Sequence, residues 1–576
     1  MHSPLTGDFK YYAVAVALIA VCFGFWLVRP YSVLSDTGYQ ALSARQYVDH
    51  YNAVFNTVRL VNPRDLSKDV ISPLTAWSPS WTALFAVAFK AGLSVGMAGR
   101  LIALFLSLMG TLGWVRMSSL VGLKGRWRMA GIVCAALYCL RTGTMSKTGA
   151  GDQIIFAVAP WLLMAALPLA VPLSGAMRKI VVGTILLSIA LGAVYWLKYS
   201  GIFLSIAILC AVVLEQVRGF QWKRAAPFAG ALLLYAIAFL APVLGLKAWN
   251  YSISGSDFVE TSAHFSPPRT AARMGELLAE TAFGASTILF AAQPGAAQLG
   301  PTPPMNYPNA RAWLVRTPGL ILLATFLFLM ARRPRGYIRN VTILAAVVPL
   351  VGFPALSFVA GLRFSYALGR CCEPYWILFE LLIFVLLAEN ATEIGIPRPA
   401  RLALAATAVS QILLFLWIPV MWGRLFWVVV HSPHYETGAA ELWNTDLSKY
   451  GTRDIDERVK SLIHSPSDVV VPAVYSDRAF GTDTMLEFGG RLLPLATFFV
   501  PLAQTHGKDG ANYYSTAPLV SSAPVRIILV APDPYNRPDF MQQTERVMRR
   551  FTQVRQWKPG PVDPHGRVWI WVGETA

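Results

Sequence analysis

Two aspartates stand where a carboxylate could take a proton from an attacking hydroxyl. Asp36 heads the polar stretch Tyr31-Ser-Val-Leu-Ser-Asp36-Thr-Gly-Tyr39-Gln-Ala-Leu-Ser-Ala-Arg45, eight residues beyond the first long apolar segment. Asp152 lies in Ser146-Lys-Thr-Gly-Ala-Gly-Asp152-Gln, two residues before another apolar run. A carboxylate at such an edge can serve as a general base, or share a divalent cation with a second carboxylate. Either acid can equally cap the helix that follows it. Lys198, followed by Tyr199, and the pair Arg363 and Arg370 occupy comparable segment ends. Such cations suit a phosphate, which Arg clasps through two parallel hydrogen bonds and Lys neutralises as a point charge. Their plainer role is to reach toward lipid headgroups. Glu260 and His264, four residues apart, would share one helix face as candidate metal ligands, although Pro267-Pro268 just beyond them favours an ordinary loop.

The elements that must hold these residues are membrane spans. Of 576 residues, 55% are hydrophobic and 14% charged, and the mean hydropathy is +0.49. A water-soluble surface needs more charge, so the chain reads as a polytopic α-helical membrane protein. A span takes about 17–25 apolar residues. Segments of that kind lie near 11–28, 98–117, 129–146, 154–173, 179–197, 201–216, 226–246, 314–331, 340–360, 374–390 and 402–424, about eleven in all.

The net charge of +18 is an orientation signal, not a nucleic-acid footprint. Basic clusters at Lys124/Arg126/Arg128, Arg178/Lys179, Arg218/Lys223/Arg224, Arg332/Arg333/Arg335/Arg339 and Arg398/Arg401 each follow an even-numbered span. Eleven spans therefore put all five on one side, the cytoplasmic one, with the N-terminus inside and the C-terminus outside the cytoplasmic membrane. Residues 76–95 could be counted as a further span, which would reverse every later loop. Pro79 early, Lys90 late and a short apolar core favour a helix on or dipping into the outer surface.

Long outward regions result at about 29–97, which holds Asp36, and about 247–313, which holds Glu260 and His264. Residues 1–430 thus form a membrane domain. Residues 431–576 have the composition of an extracytoplasmic α/β domain, with strands expected at 468–475, 525–530 and 568–572 and a helix at 536–551. All six cysteines fall in or beside spans, so that domain is not stapled by disulfides. The first apolar run is long and is followed by Arg29-Pro-Tyr, so it is expected to stay as a span instead of being cleaved.

The stretch Asp36-Thr-Gly-Tyr-Gln-Ala-Leu-Ser-Ala-Arg45 resembles the acid-bearing first extracytoplasmic loop of the GT-C-type membrane glycosyltransferases. That family includes protein O-mannosyltransferases and the aminoarabinose transferase of lipid A. Ser72-Pro-Leu-Thr-Ala-Trp-Ser-Pro79, the apolar surface helix and Ala98-Gly-Arg100-Leu continue the likeness, as do Asp152, Tyr195-Trp-Leu-Lys198-Tyr-Ser-Gly and Gly369-Arg370-Cys-Cys-Glu-Pro374. At this last turn the family has Tyr and apolar residues after Arg, where this chain has Cys-Cys-Glu. The resemblance implies transfer of a sugar from a polyprenyl-phosphate-linked donor to an envelope glycan, lipid or protein. It implies Asp36 as base, Asp152 as its assistant, with or without a divalent metal, and Lys198, Arg363 and Arg370 at the donor phosphate.

A transporter or flippase with an outside sensor domain is the alternative. Transporters place ionisable residues at mid-membrane, and Glu380, in Tyr375-Trp-Ile-Leu-Phe-Glu380-Leu-Leu, is placed mid-span by the sequence.

Overall fold

The computed structural model describes residues 4–28, 35–75, 77–141, 152–173, 177–218, 225–254, 324–333, 335–360, 375, 377–390, 398, 402, 459, 461–472, 491–493, 517–532, 540–560 and 568–576. The chain begins with α1 (Pro4–Val28), a polar helix α2 (Ser35–Val48), a hairpin of β1 (Thr57–Asn62) and β2 (Asp65–Pro73), and a short helix α3 (Ser80–Lys90). Helices α4 (Val95–Leu120), α5 (Gly125–Arg141), α6 (Asp152–Ala166), α7 (Met177–Leu197), α8 (Gly201–Val217) and α9 (Ala225–Ser254) follow. Residues 324–332 form α10, and α11 (Tyr337–Ala360) and α12 (Ile377–Asn390) come after it. The last part holds β3 (Val469–Pro472), β4 (Arg491–Leu492), β5 (Arg526–Pro532), α13 (Phe540–Arg550), β6 (Val554–Pro559) and β7 (Val568–Thr575).

Each apolar segment from 11–28 to 374–390 coincides wholly or partly with a helix; 402–424 lies outside the described residues apart from residue 402. Among the described residues, three helices are long and apolar enough to cross a bilayer: Met97–Leu120, Arg178–Leu197 and Ala225–Ile253. Shorter apolar helices cover Gln153–Leu169, Gly201–Val217 and Tyr337–Pro349. The bundle closes through small residues, because apolar lipid offers helices no hydrophobic reason to associate. Gly110 and Gly113 of α4 let Phe156 and Pro160 of α6 approach the backbone, and Gly192 of α7 admits the Phe239 carbonyl of α9. A Cβ at any of the three would overlap its neighbour.

Contacts at one end of this bundle join the segments that carry the basic clusters. Arg128, at the start of α5, donates from Nη1 to Asp8 Oδ1 of α1 (2.6 Å). The Leu173 N–H donates to the Gln216 carbonyl (3.3 Å), and Arg218 Nη1 reaches the Arg335 carbonyl (3.4 Å). Asn340 donates to Glu215 (2.7 Å), and Arg333 pairs with Glu389 at the end of α12. Trp127 against Phe384 (6.1 Å between ring centroids) ties α5 to α12. The first four clusters therefore share an end with the N-terminal turn of α1, as their spacing requires.

The segment 76–95 does not span. Its helix α3 has 11 residues, about 16 Å at 1.5 Å per residue, against a core of about 30 Å. Trp81, Phe85 and Phe89 are buried, while Val87 and Lys90 are exposed.

The C-terminal part is a five-stranded mixed sheet of order β4-β3-β5-β7-β6. β3 runs parallel to β4 and β5, and β7 runs antiparallel to β5 and β6. Ile527, Leu529, Val469 and Val471 point to one face, where they meet Val547 of α13 and Phe551 just beyond it. Ile528, Val530, Val470 and Ile570 point to the other, where they join Val58, Leu60, Trp81 and Phe85 of the region between α1 and α4. Burial on both faces explains why β5 reads as an unbroken apolar run.

Candidate functional site

Helix α2 carries Asp36 in its first turn, where the helix dipole favours an acid. This helix is polar in sequence, yet every residue from Gly38 to Ala44 is buried, Gln40 and Ser43 among them. Polar side chains can be buried only where partners hold them. Gln40 Nε2 donates to the Ser78 carbonyl (2.7 Å), and Tyr39 stacks on Trp77 (6.2 Å, 19° between planes). At its other end Arg45 lies over the Phe89 ring (4.4 Å). Gln46 clamps the Arg59 backbone of β1, accepting from its N–H (2.7 Å) and donating to its carbonyl (3.0 Å).

The turn between α7 and α8, Lys198-Tyr199-Ser200, docks on the same segment. Ser78 and Ser80 each donate a hydroxyl to the Leu197 carbonyl at 2.6 Å, satisfying an acceptor that a helix end leaves open. Tyr199 Oη lies 2.9 Å from the Thr75 carbonyl and 3.2 Å from that of Trp77, and accepts from Asn250 Nδ2 of α9 (3.3 Å). Lys198 is half-buried and accepts the Gly201 N–H (3.0 Å). Gly201 in turn abuts Ile155 of α6.

Asp152 is the first residue of α6. Its successors Ile154 and Ala157 share one buried cluster with Tyr39, Ala41, Leu42 and Ala44 of α2. The structure thus brings together the helix of Asp36, the helix start of Asp152 and the turn of Lys198, at the end opposite the basic clusters. Among the described residues, Gln40 Oε1, Ser43 Oγ, Thr75 Oγ1 and Ser200 Oγ are buried on these meeting elements without a hydrogen-bond partner. Buried polar atoms nearly always have one, so a group of orphans points to a polar occupant.

Arg363, Arg370, Glu260 and His264 lie outside the described residues. Among the described residues no three His, Cys, Asp or Glu side chains cluster as a metal site. Glu380, expected mid-span, falls in the first turn of α12, where it is buried in the bundle and Leu381 beside it packs on Gly131 of α5. Sequence reasoning missed Gln40, Ser78, Ser80 and Asn250. Only the nearness of the serines to Pro79 hinted at a fixed turn.

No family model matches the chain, and neither does any curated protein. Two solved structures are similar to it at low identity. The crystal structure of ArnT from Cupriavidus metallidurans bound to undecaprenyl phosphate is 14% identical with a TM-score of 0.43, covering 99% of this chain and 98% of that one. The cryo-EM structure of the arabinofuranosyltransferase AftD from Mycobacteria is 14% identical with a TM-score of 0.42, covering 98% of this chain and 41% of that one.

Proposed function

We propose that the chain is a glycosyltransferase that moves a sugar from a polyprenyl-phosphate-linked donor to an envelope lipid, glycan or protein, on the outer face of the cytoplasmic membrane. The observation that supports this most is that the helix carrying Asp36, the helix that begins at Asp152 and the turn of Lys198 meet at one end of the bundle, where several buried polar atoms have no described hydrogen-bond partner. Asp36 takes the proton of the acceptor hydroxyl as its oxygen bonds to the anomeric carbon. The bond from that carbon to the phosphate oxygen breaks, and the polyprenyl phosphate leaves with the electron pair. Lys198, Arg363 and Arg370 neutralise the leaving phosphate, because fixed charges in a water-poor site stabilise a developing anion. Asp152 orients the acceptor or, with a divalent metal, the donor.

With purified protein and lipid-linked sugars, Asp36→Asn should lower transfer by roughly 10²–10⁴-fold while leaving donor binding intact. Transfer at the wild-type rate by Asp36→Asn, together with an inactive Glu380→Gln, would favour the transporter reading and sink this one.

A further inference from the structure

The hairpin that follows α2 belongs to two cores at once. Val58 and Leu60 of β1 pack with the α2 and α3 side chains. Val61 and Leu66, at the tip, are fully buried in the core between the C-terminal sheet and α13. Polar contacts fix the same placement. Asp65 Oδ1 accepts the Ser522 N–H (2.9 Å) and Oδ2 accepts the Ser522 hydroxyl (2.7 Å). The Leu66 N–H donates to the Val520 carbonyl (2.8 Å). Further along β2, Asp69 stands between two guanidinium groups. Arg59 Nε donates to its Oδ2 (2.6 Å) and Arg491 Nε of β4 donates to its Oδ1 (2.8 Å).

From Asp69 the connection runs unbroken to the helix of Asp36. Arg59, one partner of Asp69, is the residue whose N–H and carbonyl Gln46 clamps at the end of α2. Asn52 reinforces the joint, with Nδ2 near both Gln46 Oε1 (3.0 Å) and the Thr57 carbonyl (2.7 Å). We propose that the C-terminal sheet sets the position of the Asp36 helix through this hairpin, and that Asp69 is the positioning residue. Its two carboxylate oxygens each accept from one arginine, and its single negative charge offsets much of the repulsion between the two. Without that charge Arg59 and Arg491 repel, the hairpin shifts, and the shift reaches α2 through the Gln46 clamp. The catalytic consequence rests on Asp36 being the base; the coupling itself does not.

Hydrogen–deuterium exchange on the full-length protein, combined with transfer kinetics, tests this. In Asp69→Asn and Arg491→Gln, amides of residues 38–48 should exchange roughly tenfold faster, while those of α4 and β5 keep their protection. The turnover number should fall by about the same factor with the donor KM unchanged, and Arg491→Lys should restore most of both. Unchanged exchange in α2, with the C-terminal sheet still protected, overturns the proposal. If Asp69→Asn also loosens the sheet, a cross-link decides. Ser67 and Ser522, whose hydroxyls lie 2.9 Å apart, are replaced as Ser67→Cys and Ser522→Cys in the Asp69→Asn background. Restored protection of α2 supports the coupling, and continued fast exchange overturns it. A wild-type protein that transfers no lipid-linked sugar sinks the proposed function while the exchange result still decides the coupling.

Discussion

The two ends of the helical bundle handle polar groups differently. At the end with the basic clusters, buried charge is answered by charge. Arg128 is almost fully buried and donates from all three guanidinium nitrogens: Nη1 to Asp8, Nε to the Ser118 hydroxyl at 3.2 Å, and Nη2 toward the Val115 carbonyl at 3.4 Å. Its guanidinium also lies 4.2 Å over the Tyr11 ring. Glu215 and Glu389 have partners as well. Unmatched atoms occur there too among the described residues, Gln216 Oε1 and the hydroxyls of Tyr235 and Tyr337 among them. At the opposite end Gln40, Ser43, Thr75 and Ser200 leave polar atoms unmatched on elements that meet one another. An unmatched buried atom costs stability, so a fold keeps a group of them only where something else uses them. The first end holds the bundle through paired charge; under the proposed function, the second is the one that receives the donor.

The sharpest way to break this contrast is to remove Arg128. Arg128→Ala should destabilise the protein by about 3 kcal/mol, because it strips the main partner from a mostly buried carboxylate. Arg116, 3.5 Å from Asp8 and half-exposed, compensates only in part. Thermal unfolding in detergent would register a large drop in midpoint. Any loss of transfer at a temperature where the variant is folded should be small. Arg128→Lys should not rescue fully, since lysine cannot reproduce three directed donors and a stacked ring.

The opposite end should respond with the opposite sign. Thr75→Val keeps the shape and removes a fully buried hydroxyl that has no described partner. Its midpoint should stay level or rise by up to about 1 kcal/mol in stability. Transfer should fall roughly tenfold if the hydroxyl contacts the substrate, as one lost hydrogen bond to a polar ligand implies. Equal stability losses in Thr75→Val and Arg128→Ala would erase the distinction between the ends.

How much of this was legible before the structure follows from what each element is made of. Runs of about 20 apolar residues outweigh everything else in a window, so the apolar helices and the common end of the first four basic clusters could be read directly. The C-terminal strands β3, β5 and β7 stood out as apolar runs, and α13 as a helix pattern. The short β4 and the mostly exposed β6 did not. Helix α2 was invisible for a physical reason: its buried stretch mixes Tyr39, Leu42 and two alanines with the polar Gln40 and Ser43, so apolar periodicity is faint. The hairpin left a trace that went unused, the alternation of Val58 and Leu60 before Asn62-Pro63. There Asn62 Oδ1 accepts the Arg64 N–H (2.9 Å) and folds the turn. For the candidate site, the sequence led to the expectation that the segments of Asp36, Asp152 and Lys198 share one end of the bundle, and those segments do meet there. The links Ser78–Leu197 and Tyr199–Thr75 join residues more than a hundred positions apart, and no local pattern encodes them.

The smallest expected effect concerns how the end opposite the basic clusters is held, and it turns on pH. The Asp65 carboxyl is held well below the usual range, first by the Ser67 hydroxyl and then by the Ser522 N–H and hydroxyl. A carboxylate that ionises more readily in the folded state adds stability in full above its unfolded pKa of about 3.9. That stability drains only as pH falls through the lowered folded value. Attachment of the hairpin tip to the C-terminal sheet should therefore be flat from neutral pH down to about 5, and weaken only in distinctly acid solution. The measure is amide exchange at residues 61–68, corrected for intrinsic rate. Asp65→Asn should show slightly faster exchange throughout and lose the acid-dependent step. A step near neutral pH in the wild type would mean that another group governs this contact. The hairpin contact would then be a pH-responsive joint, where the hydrogen bonds to Asp65 make it a fixed one.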